Sequence, residues 1–92
     1  MKATINSKRY NTANCETLGE IDHYNNGNYS GTTYLLRAND GQLLVHTDSN
    51  GQDLHIQSNL ESWEDSMMEI DAFKLDDDQE KRCVELGLIE IV

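Results

Sequence analysis

The chain has 92 residues, 37% of them hydrophobic and 26% charged, with seventeen acidic against seven basic side chains and a formal net charge of -10. A chain of that size makes one domain, residues 1–92, with one thin core. The charge excludes a direct nucleic-acid binder, because phosphate affinity comes from clustered Lys and Arg.

No run of about eighteen apolar residues occurs, so no membrane span is expected. The N-terminus turns polar by Thr4 and Asn6, too early for a signal peptide, which points to the cytoplasm. Two cysteines, Cys15 and Cys83, are too few for a disulfide framework and lie outside any CxxC motif; reduced, half-buried thiols are expected. The acidity is uneven. Residues 1–60 hold six acids and four bases, whereas residues 61–92 hold eleven acids and three bases.

Lys2 to Tyr10 reads as a hairpin turning at Asn6-Ser7, with Ala3 opposite Tyr10 and Ile5 opposite Lys8. A type I′ turn needs positive φ at both central residues, so Ser7 in place of Gly costs on the order of 1 kcal/mol. Asn11 or Thr12 then caps a helical turn, Ala13 to Leu18, which Gly19 ends. Glu20 to Tyr24 is a weakly alternating strand with Ile21 inward. Asn25 to Gly31 is a loop by composition, without the lysine and following helix of a phosphate cradle. Its Asn28-Tyr29-Ser30 sequon carries no meaning without a secretion signal.

Thr32 to Ser58 is the clearest stretch: three short strands joined by turns at Asn39-Asp40-Gly41 and Ser49-Asn50-Gly51-Gln52. A two-residue Asn50-Gly51 turn puts Val45 opposite Ile56 and Thr47 opposite Leu54, an apolar face shared with Leu43. The other face then pairs His46 with His55 and Asp48 with Asp53. The Asp40-Gly41 turn fits either a two-residue connection or a three-residue loop with Gly41 at a bulge.

Residues 59–66 form an irregular connection or helical turn. Met67 to Leu75 alternates as a strand, with Met68, Ile70 and Ala72 on one side and Glu69 and Asp71 on the other, until the phase breaks at Phe73. Asp76 is an N-cap with Gln79 at the capping-box position, so a helix runs from 76 to 86 and stops at Gly87. Cys83, Val84 and Leu86 form its inner stripe. Leu88 to Val92 reads as a last edge strand, able to pair two copies into a homodimer. The expected fold class is α+β: one antiparallel sheet built on 32–58, extended by 2–10, 20–24, 67–75 and 88–92, with one main C-terminal helix across one face and a short N-terminal helical turn.

Two constellations carry candidate chemistry. Opposed imidazoles at His46 and His55, flanked by Asp48 and Asp53, are able to share a metal, although a catalytic zinc site needs a third protein ligand. A calcium loop from Asp48 fails, since Asp53 and Asn59 stand where Gly and Glu are required. No serine has an elbow context and Cys15 has no defined base, so an enzyme is the weaker class and no cofactor is expected.

The second constellation is the acidic segment: Glu61, Glu64, Asp65, Glu69, Asp71, Asp76, Asp77, Asp78 and Glu80. Its plain role is solubility and favourable charge at a helix N-terminus. Held on rigid elements, the same carboxylates imitate the spaced charge of a nucleic-acid backbone, with Trp63, Met67 and Phe73 as apolar anchors nearby.

Ile5-Asn6-Ser7-Lys8-Arg9-Tyr10-Asn11-Thr12 resembles the opening of small bacteriophage, prophage and mobile-element proteins, written I-N-G-K-R-Y-D/N-T. Those continue with a short helix, an Asn/Gly loop and a strand-turn-strand, where Tyr34-Leu35-Leu36-Arg37 and Gly41-Gln42-Leu43-Leu44 stand here. The chain departs at Ser7 and lacks the glycine-rich segment that often follows the second strand. The resemblance spans about half the chain and rests on structural turns. It implies an inhibitor of the anti-CRISPR or antirestriction kind, a host-cell cytoplasmic protein that binds the basic surface of a nucleic-acid-handling complex such as a CRISPR effector. It carries over no catalytic residue.

Overall fold

The alternation of the first ten residues closes a hairpin of β1 (Lys2–Ile5) and β2 (Lys8–Asn11) in the expected register, Ala3 opposite Tyr10 and Ile5 opposite Lys8. Asn6 and Ser7 hold φ of 52° and 64°, the left-handed pair of a type I′ turn. The computed structural model describes residues 1–51 and 56–92. It is an α+β structure in which a four-stranded antiparallel meander runs β3 (Glu16–Asn25), β4 (Asn28–Arg37), β5 (Leu43–Ser49) and β6 (Asn59–Ser62). A four-residue helix α1 (Trp63–Ser66) and a C-terminal helix α2 (Asp77–Glu85) follow. The β1–β2 hairpin is a separate two-stranded sheet and does not extend the meander, as the sequence had suggested.

Strand β4 carries the fold. Its neighbours Leu35 and Leu36 point to opposite faces, and both are buried. On one face Leu36 joins Leu44, Ala38 and Tyr10 under the β1–β2 hairpin, with Ile5, Cys15, Tyr34 and Leu60 around them. On the other face Leu35 joins Leu18, Phe73 and Cys83, and the α2 side of the chain closes over them. The meander is therefore covered on both sides, not on one. This explains why β4 is buried at Thr32, Thr33, Leu35 and Leu36, with Tyr34 half-buried between them, in place of a clean alternation.

The buried hydroxyls of β4 are all partnered. Thr32 donates to Asp22 Oδ1 at 2.8 Å, which leaves its oxygen to accept from Tyr29 OH. Thr33 bridges His23 Nε2 at 2.7 Å and Thr47 Oγ1 at 3.0 Å. Among the described residues no buried side-chain nitrogen or oxygen lacks a partner.

The 39–41 turn takes the three-residue form. Ala38 N bonds Gln42 O, Gly41 N bonds Ala38 O, and Gly41 holds φ of 90° at the bulge position. Asp40 then knots this turn to β2, accepting from Gln42 N at 3.0 Å, Tyr10 OH at 2.9 Å and Lys8 Nζ at 3.3 Å.

Several expectations are corrected. The helical turn after the hairpin is only a 3-10 turn, Thr12–Asn14, capped by Asn11, and Leu18 and Gly19 belong to β3. Gly19 does not end a helix; it gives Leu75 and Phe73 room against the sheet, since a Cβ there would meet Leu75 Cδ2 at 2.6 Å. The Asn25–Gly31 loop is a tight hairpin turn at Asn26-Gly27, φ 53° and 81°, so β3 and β4 are both ten residues long.

Of the third meander strand expected at 53–58, residues 53–55 lie outside the described residues and 56–58 form no strand. Strand β5 pairs with Asn59–Ser62, placing Val45 opposite Glu61 and Thr47 opposite Asn59. That register brings Leu60 onto the Leu36–Leu44 cluster and lets Ser62 cap α1, accepting from Asp65 N at 3.2 Å. Of the expected partners, Leu54 lies outside the described residues, and Ile56 is outside any strand.

Met67–Leu75 is no strand. Met67 is left-handed with φ of 57°, Ile70–Ala72 is a 3-10 turn, and a single bridge joins Lys74 to Glu20. The inward residues are Met68, Ile70, Phe73 and Leu75, whose spacing mixes two and three and fits neither pure period. Ala72, expected inward, is exposed.

Helix α2 forms as read, with the complete Asp76–Gln79 capping box and Gly87 at φ of 78° ending it. Residues 88–92 form no strand, because Leu88 and Ile89 pack inward against Phe73 and its neighbours; the edge on which a homodimer was expected is not there.

Candidate functional site

Of the His46/His55 pair, His46 alone lies among the described residues. His46 lies opposite Tyr34 on β4 and Leu60 on β6, and its ring stacks on Tyr34 at a centroid distance of 5.8 Å. Burial lowers its pKa, partly offset by the neighbouring Asp48 carboxylate. Asp48 lies opposite Thr32. His55 and Asp53 lie outside the described residues. Among the described residues no group of three or more His, Cys, Asp or Glu is placed to hold a metal ion.

The acidic residues are placed by capping chemistry more than by strand alternation. Glu64 and Asp65 fill the first turn of α1 behind the Ser62 cap, and Asp77, Asp78 and Glu80 fill the first turn of α2 behind the Asp76 cap. Glu64 also accepts from Gln42 Nε2 at 3.0 Å. Glu61 is half-buried on β6. Glu69 and Asp71, expected on a strand face, lie in and beside the 3-10 turn that leads to Phe73. Apart from Glu61, all nine are exposed.

None of the nine enters an ion pair among the described residues. The salt bridges join Lys8 to Asp40 and Arg82 to Glu16 and Glu85. The nine carboxylates therefore present their charge without an ion-pair partner among the described residues.

The structure gathers part of this set and adds residues that the sequence did not single out. Asp71 and Glu80 meet at the rim of a cleft of about 520 Å³ floored by Ile70, Phe73, Leu75, Leu88 and Ile89, with Glu90 completing the rim. Asp76 shares a second, smaller groove with Glu20 and Asp22 of β3, where Lys74 also lies. Glu90 and Glu20 are distant from these partners in sequence, so no local pattern could have joined them.

Of the three candidate anchors, Trp63 and Phe73 belong to the core, their rings 6.2 Å apart. Only Met67 projects, at 90% exposure. Its left-handed backbone is held by Ser66 Oγ, which donates to Trp63 O at 2.7 Å and accepts from Met68 N at 3.2 Å.

The thiols sit on opposite faces of the meander. Cys83 is fully buried near Leu18 O, and Cys15 is half-buried beside Asn11 O. Burial raises the pKa of both, which suits packing better than nucleophilic chemistry. Among the described residues no helix is long and apolar enough to cross a membrane. No protein-family model matches the chain, and neither the curated proteins nor the solved structures hold a match to it.

Proposed function

We propose that this chain is a non-catalytic inhibitor, carried by a phage or mobile element, whose acidic face occupies the basic surface of a nucleic-acid-handling host complex in the bacterial cytoplasm. A CRISPR effector is the example to which the resemblance of residues 5–12 leads. The observation that carries the reading is the unpaired negative charge of residues 61–80: nine carboxylates, eight of them exposed, none in an ion pair among the described residues. Such a surface associates fast with a basic groove and competes with nucleic acid for it.

The test is capture of effector complexes from a bacterial lysate by the immobilised chain, repeated at rising salt and with added duplex DNA. The quadruple variant Glu69→Lys, Asp71→Lys, Asp76→Lys and Asp77→Lys serves as control. The reading expects a captured nucleic-acid-handling complex that salt and DNA displace and the variant fails to hold. Capture that persists at high salt, or that the variant retains, would sink it.

A further inference from the structure

The cleft beyond α2 offers more than charge. Gly87 turns the chain back in the left-handed conformation, and Leu88 N bonds Cys83 O at 2.9 Å, so the residues that follow are pinned beside Phe73. Ile70, Leu75 and Ile89 are only partly buried, and they leave an apolar floor open to solvent. Asp71, Glu80 and Glu90 stand around that floor, and no Lys or Arg lines it. None of the three carboxylates is ion-paired among the described residues.

An apolar floor with a uniformly acidic rim selects by two criteria at once. A nucleic acid is repelled by the rim. A purely hydrophilic cation satisfies the rim but leaves the floor wet. A second copy of a chain with net charge -10 brings acid against acid. We infer that the cleft docks a basic amphipathic segment of a partner protein, one apolar side chain seated on the floor and Lys or Arg on either side meeting Asp71, Glu80 and Glu90.

This rests on the proposed function in taking the partner to be basic, and adds where on the acidic face the partner is anchored and by what kind of side chain. The floor is already held in place by the packing of Phe73 and the Leu88 hydrogen bond, so docking orders little of this chain.

Two synthetic peptides of equal positive charge test it, one with leucines spaced among its lysines and one with glycines in their place. Each is titrated into the isotopically labelled chain at about 150 mM salt and followed by amide NMR. The leucine peptide is expected to bind about tenfold tighter, the worth of burying one aliphatic side chain, and to shift the amides of Ile70, Leu75, Leu88 and Ile89. Ile89→Gln is expected to erase that difference and leave the glycine peptide's affinity unchanged.

Equal affinity for the two peptides, or shifts confined to residues 61–69, would overturn the docking site while leaving the electrostatic reading intact. Binding of neither peptide, even at low salt, would overturn both. Cleft amides that shift on dilution of the chain alone would make the occupant a second copy and overturn the partner segment. Should Ile89→Gln unfold the chain, the comparison of the two peptides on the unaltered protein decides.

Discussion

Gly31 is the position at which one added methyl group tests the meander most directly. It pairs with Ser49 near the end of the β4–β5 ladder and holds φ of 155°. A Cβ built there sits 2.6 Å from the Asp48 carbonyl oxygen and 3.1 Å from Ser49 Cα, both backbone atoms with no rotamer to change. Ordinary contact for a carbon is about 3.5 Å, so Gly31→Ala forces the strands apart by most of an ångström. That movement strains the Asn50 N to Ser30 O bond at 3.1 Å and the Thr32–Asp48 and Thr33–Thr47 pairs behind it.

Overpacking of this kind costs about 1–3 kcal/mol, and forcing Ala into a glycine backbone region adds about 1 kcal/mol. A loss of about 2–4 kcal/mol corresponds to a Tm lower by about 10–25 °C for a chain of this size. Gly27→Ala supplies the control. Gly27 also has positive φ, 81°, but nothing lies within 4 Å of its Cβ position, so only the backbone term of about 1 kcal/mol applies. Thermal unfolding of both variants by circular dichroism measures the difference. Equal Tm values for the two would refute the close approach of Gly31 to β5.

Two further outcomes follow from the side-chain geometry. Asp76→Ala removes the carboxylate that accepts from Gln79 N at 2.7 Å and leaves that backbone N–H without its cap, so α2 should lose about 1 kcal/mol, read as a Tm drop of about 4–8 °C. Asp76→Asn, which keeps an acceptor, should restore most of it. Asp40 has its pKa lowered, first by the Gln42 N–H and then by Tyr10 OH and Lys8. A carboxylate lowered in the folded state stabilises above its unfolded pKa of about 3.9, and that contribution is lost as pH falls through the folded value. Asp40→Asn should therefore flatten the pH dependence of stability below about pH 4, and an unchanged slope in urea titrations at pH 5 and pH 3 would count against the knot at Asp40.

What the sequence showed and what it hid divide along the range of the interactions involved. The 2–10 hairpin and α2 were legible because their determinants are local: two residues that accept positive φ, and a capping box four residues long. The 26–27 turn also has a local signal, Asn-Gly, but its flanks His23, Tyr24, Tyr29 and Ser30 carry no apolar alternation, and composition alone read as loop. Strand β6 has almost no strand character in Asn59-Leu60-Glu61-Ser62. It pairs because Leu60 completes a cluster built by residues as distant as Ile5 and Tyr10. Residues 67–75 failed for the same reason in reverse: alternation suggested a strand, yet Phe73 and Leu75 are drawn onto Gly19, and burial overrode the period. The nine acids of residues 61–80 were visible as a segment. That Asp71 and Glu80 stand at the Ile70–Leu75–Ile89 floor together with Glu90 was not, since Glu90 reaches it only through the Gly87 reversal.

The structure also separates the nine acids by what else they do. Asp76 caps α2, and Asp77, Asp78 and Glu80 lie in its first turn, where negative charge offsets the unpaired N–H groups of the helix end. Glu64 and Asp65 hold the same position on α1. Six of the nine thus have a local reason to be acidic that involves no partner. Glu69 and Asp71 have the least: Glu69 makes no capping bond at its 3-10 turn, Asp71 sits in that turn of only three residues, neither is ion-paired among the described residues, and both are exposed. Reversing Asp76 and Asp77 removes partner contacts and helix stability together, whereas reversing Glu69 and Asp71 leaves every described cap and core contact in place. The weight of the electrostatic reading therefore falls on Glu69 and Asp71: if Glu69→Lys/Asp71→Lys alone leaves partner capture intact while its Tm is unchanged, the acidity of this segment is accounted for by folding and solubility.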